Sequence, residues 1–298
     1  MRTWIAGRSI RVVTSLVAAT AVAGVAVGCG DDDDKESSAK PAGFAIEATA
    51  QGKKLALSHP ASVSAGLVSM TLKNSDKRPR GAQIVRIVGD HNSKAVVSLI
   101  EGDSAKTPEY VQDGGGVAAV KPGETKTVTQ NLAPGKYIVW DDQGGDDDTP
   151  GNWSLGALGE FTVTGEASDD ELPSRPATIT ATDKGDKDYG FAFKGLKAGT
   201  NQVLFENTGK QLHHALFFPL QKGATLADLR TFLKSDGKGE PPLDFAKGVG
   251  TTVIDGGVAQ NVELDLTAGN YAVLCFIPDR KGGKSHADKG MVEELVVK

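Results

Sequence analysis

The chain of 298 residues has only two cysteines, three methionines and five histidines, and aromatic residues make up 6% of it. So few cysteines cannot form a disulfide framework, and the shortage of methionine and histidine excludes the exposed Met-rich or His-rich tracts on which metal carriers rely. Positive charge is short as well, with 33 Lys and Arg against 38 Asp and Glu. Three arginines, Arg2, Arg8 and Arg11, fall in the first 28 residues, which contain no acid, so removing that segment takes the formal charge from −5 to −8. An acidic mature chain argues against nucleic acid or anionic lipid headgroups as a main partner.

Residues 1–28 have a basic start, an Ala/Gly-rich apolar run and small residues ahead of Cys29, the pattern of an export signal rather than a spanning helix. The stretch Ala26-Val27-Gly28-Cys29 resembles a bacterial lipobox, with Ala26 where Leu is commoner. Cleavage there would make Cys29 the lipidated N-terminus and place the protein outside the cytoplasm, anchored to the cell membrane by lipid. The alternative is a simple secretory signal with Cys29 as an ordinary residue. Residues 29–42, rich in Asp, Ser and Lys and without apolar period, read as a disordered tether. With Cys29 lipidated, Cys275 is an unpaired thiol in an oxidising compartment, for which metal ligation is a good reason and an inert buried cysteine the bland one.

The remainder predicts an all-β protein. Short apolar runs such as Leu67 to Leu72, Gln83 to Val88, Val203 to Glu206 and Ala215 to Phe218 are separated by Gly, Asn, Asp and Pro. They group into two blocks, 43–166 and 174–298, joined by a segment with Gly165, Pro173, Asp169, Asp170 and Glu171. Each is long enough to bury a core. The blocks repeat: Gly123, Val128, Leu132, Gly135, Tyr137, Gly156 and Val163 recur 134 positions later as Gly257, Val262, Leu266, Gly269, Tyr271, Gly290 and Val297. Leu72-Lys73-Asn74 matches Phe205-Glu206-Asn207 at an offset of 133. Such a duplication predicts two similar sandwiches rather than one large fold. One helix interrupts the second block, with capping-box spacing at Thr225 and Asp228, an apolar stripe at Leu226, Leu229, Phe232 and Leu233, and Gly237 past its end.

Cys275 is followed by His286 and Met291, and His213 and His214 lie upstream. A thiolate, two imidazoles and a weak thioether are the donor set of a blue-copper centre, with His2Cys in a plane and a long axial Met. Across the repeat, Cys275 answers to Asp141, His286 to Asn152, Met291 to Ala157 and His213 to Arg80, so all four candidates are missing from the first block.

Gly269-x-Tyr271-x-x-x-Cys275, with His286 and Met291 after it, resembles the ligand loop of the cupredoxins, small blue-copper proteins. Phe205-x-Asn207-x-Gly209-x-x-x-His213 resembles their first-ligand strand. Cys275-Phe-Ile-Pro278 and His286-Ala-Asp-Lys-Gly290-Met291 are most similar to the plastocyanin, auracyanin and rusticyanin group. The resemblance implies two tandem Greek-key β-sandwiches and one type 1 copper in the second, held by His213, Cys275, His286 and Met291. It also implies an electron carrier that meets redox partner proteins, not an enzyme. The alternative function is a module that buffers or delivers copper. Multicopper oxidases and copper nitrite reductases need further clustered histidines, commonly as His-x-His pairs, which five histidines without such a pair do not supply.

Two features depart from the family pattern. Ten residues separate Cys275 from His286, and the Gly- and Lys-rich insert Arg280 to Ser285 reads as a solvated bulge. His214 stands where cupredoxins place an Asn that ties the ligand loops together. Its imidazole can replace that bond, or it can compete with His213 as ligand, against which the Asn207 spacing speaks. Elsewhere, Asp141 to Asp148 lacks EF-hand spacing and reads as a solvated turn rather than a calcium loop. His59 and His91 read as surface histidines, and Trp140 and Trp153 as filling an ancestral metal pocket.

Overall fold

A computed structural model describes residues 40–298 apart from 102–105, 145–149, 169 and 236. The signal-like segment, Cys29 and residues 30–39 of the tether lie outside the described residues. Among the described residues no helix is long and apolar enough to cross a membrane.

The fold is all-β. The first half runs β1 (Ala42–Gln51), β2 (Lys54–Ser58), β3 (Ser62–Ser64), β4 (Gly66–Asn74), β5 (Arg80–Ile87), α1 (Ser93–Glu101), β6 (Val111–Val120), β7 (Thr125–Leu132), β8 (Gly135–Trp140) and β9 (Leu158–Thr164). The second runs β10 (Ala177–Thr182), β11 (Gly190–Lys194), β12 (Gly199–Asn207), β13 (Leu216–Pro219), α2 (Leu226–Lys234), β14 (Val249–Gly250), β15 (Ala259–Leu266), β16 (Gly269–Leu274) and β17 (Val292–Val297). Strand character follows from alternation. In β1, Phe44, Ile46 and Ala48 are buried while Gly43 and Ala45 face out, the period-two pattern of a half-buried strand.

Strands cross between layers in the same way in both halves. β4 pairs parallel with β1 and antiparallel with β7, and β12 pairs parallel with β10 and antiparallel with β15. The intervening β5–β6 and β13–β14 pairs belong to the opposite sheets, as do β8–β9 and β16–β17. Each half thus has its own second sheet, of order β3-β9-β8-β5-β6 or β14-β13-β16-β17. The first sheets are fused. β7 and β15 pair antiparallel through Gln130↔Gln260 and Thr129↔Asn261, giving one eight-stranded sheet, β11-β10-β12-β15-β7-β4-β1-β2. The largest buried apolar cluster runs through both halves, from Phe44 and Met70 to Phe205 and Val273, and reaches Cys275 and Met291.

α2 carries the expected capping box at Thr225 and Asp228 and buries Leu229, Phe232 and Leu233. A second short helix, α1, is unanticipated by the sequence reading and packs Val96 and Ile100 under Trp140 and Ile138.

Candidate metal centre

His213 is held by the turn that follows β12. The Asn207 side chain donates from Nδ2 to the carbonyls of Gln211 (2.7 Å) and Ile254 (3.3 Å), and its Oδ1 accepts the Gly209 amide (3.0 Å). This fixes the path from strand to ligand, and His213 then exchanges two backbone hydrogen bonds with Ile254. Asp183, just beyond β10, closes the turn from the other side. Its Oδ2 accepts the amides of Lys210 (2.8 Å) and Gln211 (3.0 Å) and meets Nε2 of His213 at 2.9 Å. Gly209 is required here, because a Cβ would overlap that carboxylate. Burial alone would push the Asp183 carboxyl up, but the bonds from His213 and from the amides of Gln211, Gly185 and Lys210 outweigh it and hold it well below the usual range.

The other candidates share one folded loop. Cys275 directly follows β16, and three backbone bonds close the chain behind it: Ala287 N–H to Cys275 O (2.7 Å), His286 N–H to Ile277 O (2.8 Å) and Met291 N–H to His286 O (2.8 Å). Cys275, His286 and Met291 are all fully buried. Nδ1 of His286 lies 3.1 Å from Nδ1 of His213 and 3.6 Å from Sγ of Cys275, and the three donor atoms are all within 4.8 Å of one another.

On the far side of the ring, Nε2 of His286 meets Asp279 Oδ1 at 3.1 Å. Asp279 is depressed as well, since bonds from Lys289, Tyr189 and His286 outweigh its burial. Ionised carboxylates only accept hydrogen bonds, so each Nε2 carries a ring proton, an arrangement that in neutral imidazoles leaves Nδ1 as the donor to a metal. Two ring nitrogens and a sulfur therefore face one another.

No family model matches the chain, and no curated protein matches it. Among solved structures it is similar to a copper nitrite reductase from Nitrosomonas europaea (16% identity, 87% of this chain and 94% of that one, TM-score 0.27). It is also similar to auracyanin from the photosynthetic bacterium Roseiflexus castenholzii (21% identity, 41% and 97%, TM-score 0.28) and to auracyanin B (20% identity, 43% and 93%, TM-score 0.26). At such scores the reading of the centre rests on its own geometry.

That geometry fits a single type 1 copper. A thiolate with two imidazoles and a buried thioether is a soft, borderline set suited to copper. Burial pushes the Cys275 thiol up to about 12, against the pull of the His214 and Ile277 amides, so at neutral pH the proton leaves only if a metal replaces it. Burial, then the charge of His213, lowers His286 to about 4, which keeps its lone pair free at pH 7.

His214 is outside the donor cluster. Its Nε2 accepts the Phe276 amide at 3.0 Å, tying the His213 strand to the Cys275 loop. Burial, reinforced by the neighbouring histidines, lowers it to about 3, so it stays a neutral acceptor.

Sequence reasoning missed the groups around the ligands. Asp183 and Asp279 orient the imidazoles, and Tyr189 stacks on His286 at 4.4 Å with its hydroxyl donating to Asp279 (2.6 Å). Lys289 bonds the Tyr189 hydroxyl (3.2 Å) and pairs with Asp279. Asp279 follows the Cys-Phe-Ile-Pro segment directly, which was the available signal. Asp183 and Tyr189 come from a separate hairpin and gave none.

Four sequence readings are corrected. The insert is only partly solvated: Lys281, Gly283 and Lys284 are exposed, but Arg280 is sunk against the first half and paired with Asp255. His59 is half-buried, its ring against Phe44 and Phe161, whereas His91 is exposed and stacks on Tyr110. Asp141 is no part of a solvated turn. It is fully buried, pairs with Arg80 through Nε, and accepts from Asn152 Nδ2 (3.0 Å) and the Gly81 amide (3.0 Å). Its own amide bonds Ala157 O (2.9 Å). The positions matching the four ligands thus meet in the first half too, as a buried ion pair. Trp140 and Trp153 pack in a separate apolar cluster.

Proposed function

We propose that this chain is a blue copper protein that carries single electrons through one mononuclear site in its second half. The observation that carries the reading is the convergence of His213, Cys275 and His286 with both outer imidazole nitrogens bonded to carboxylates. His213, Cys275 and His286, with Met291 beside them, would hold the metal. Copper bound there would supply a one-electron Cu(II)/Cu(I) couple. The protein supplies the rest: Asp183 and Asp279 keep the ring protons on Nε2, the backbone bonds fix the loop, and burial excludes water.

Burial also favours this reading over its competitors. An enzyme needs an open coordination position for substrate, and a delivery module needs ligands that an acceptor can reach. Here all four ligand side chains are fully buried and the His286 ring is covered by Tyr189. A site that changes charge without binding substrate suits a shuttle between redox partner proteins.

The reading extends to the whole chain. Residues 43–166 and 174–298 are the products of a tandem duplication, supported by the matching strand pairings and by the glycines Gly123/Gly257 (φ 77 and 80) and Gly156/Gly290 (φ 108 and 106). The first has lost copper binding. Residues 1–28 direct export, and Cys29 carries the lipid that holds the protein at the outer face of the membrane; Cys29→Ala should release it in soluble form. The function itself is tested by adding Cu(II) to the purified chain: an intense visible thiolate-to-copper band should appear, and Cys275→Ser should abolish it.

A further inference from the structure

The first half touches both segments that carry the ligands. Gln83 on β5, almost fully buried, forms a two-bond clasp on the backbone of Val253: its Nε2 donates to Val253 O (2.9 Å) and its Oε1 accepts Val253 N–H (2.9 Å). The next residue, Ile254, is the backbone partner of His213. Beside the clasp, Gly114 on β6 lies so close that a Cβ there would sit 2.5 Å from Val253 O. The second contact is Arg280, in the loop between Cys275 and His286. Its Nη1 donates to three carbonyls of the first half, Val111 (3.0 Å), Pro108 (3.2 Å) and Thr107 (3.4 Å), while Thr107 N–H returns a bond to Arg280 O (2.9 Å). Its own amide bonds Gln211 Oε1 (2.8 Å), two residues before His213.

We propose that the first half is a positioning frame for the copper ligands, with Gln83 setting the strand opposite His213 and the carbonyls of residues 107–111 setting the ligand loop through Arg280. The inference rests on the copper reading given above. Within the second half, His214 ties the Cys275 end of the ligand loop to the His213 turn and the Arg280 amide bonds Gln211, and the Arg280 side chain adds a hold from the first half on the long insert. Gln83 and Arg280 are positioning residues, since neither reaches the donor atoms.

The test uses the full chain, with Arg280→Ala, Arg280→Lys and Gln83→Leu as variants and Lys126→Ala as control. Lys126 pairs with Asp265 across the same junction at 3.5 Å but touches neither ligand segment. In the copper-free protein, amide hydrogen exchange over residues 275–291 should speed up about tenfold or more in Arg280→Ala, in proportion to the several hydrogen bonds removed. Arg280→Lys, which keeps the charge facing Asp255 but not the fork, should fall between. After copper loading, Arg280→Ala and Gln83→Leu should shift the visible band and the reduction potential, and Lys126→Ala should move neither. If Gln83→Leu does not fold, the two Arg280 variants decide. Exchange and spectra unchanged in the Arg280 variants, or changed equally in Lys126→Ala, would overturn the frame. A colourless copper complex of the unsubstituted chain alongside the predicted exchange pattern would instead overturn the copper reading and leave the frame standing.

Discussion

Two buried imidazoles whose ring nitrogens lie 3.1 Å apart leave no favourable place for a second positive charge, and the copper-free protein should show the cost of protonating His286. Because His286 is lowered from 6.5 to about 4, mainly by burial, the unfolded chain takes up a proton at this group before the folded chain does. Its contribution to stability is therefore complete above about pH 6.5 and is lost as the pH falls towards 4. Denaturation midpoints of the copper-free chain should drop across that window, and His286→Phe should flatten the slope; an unchanged slope would contradict the assignment. The axial position has a different signature. A thioether tunes copper more than it holds it, so Met291→Leu should keep the blue colour and raise the reduction potential, while Met291→Gln should lower it. An unchanged potential and spectrum in Met291→Leu would reduce Met291 to a packing residue. The ligands were legible because Cys and Met are so scarce that their clustering stands out. The orienting carboxylates were not: Asp183 and Asp279 are two among 38 acids, and Asp183 reaches His213 from 30 positions away.

At the scale of the element, the turn after β12 carries the most testable packing. Gly209→Ala would drive a methyl into the Asp183 carboxylate, which holds the His213 ring and two amides of the turn. The variant should lose copper affinity, by about tenfold to a hundredfold as for other disturbed outer-sphere ligands. Competition titration against a chelator measures it, and an affinity equal to that of the unsubstituted chain would contradict the role given to Asp183. Strands were readable from alternation, and α2 from Thr225, Asp228 and its stripe. α1 was hidden because it is only nine residues long and carries two adjacent β-branched valines, so a short apolar run of this kind fits strand and helix alike. Tertiary packing of Val96 and Ile100 decided for helix.

For the whole molecule, the repeat foretold two similar halves but not their fusion. The strands that join them carry the polar residues Thr129, Gln130, Gln260 and Asn261, which offer no apolar signal of a junction yet are buried where β7 and β15 pair. Charge complementarity between Arg80 and Asp141 was equally hidden, since one stood for a lost His and the other for a lost Cys. Their buried pair gives a stability prediction: Arg80→Met strands the Asp141 charge and should cost about 3–5 kcal/mol, whereas Arg80→Met with Asp141→Leu should cost much less. Urea midpoints of the two variants compare these, and equal losses would mean that the pair is not coupled.

The central claim is most directly tested by the optical and paramagnetic resonance spectra of the full chain titrated with Cu(II). The account predicts saturation at one copper per chain, an intense visible band and the narrow copper hyperfine splitting of a thiolate-bound site, all lost in Cys275→Ser. A colourless complex, or a blue one that survives Cys275→Ser, would contradict it.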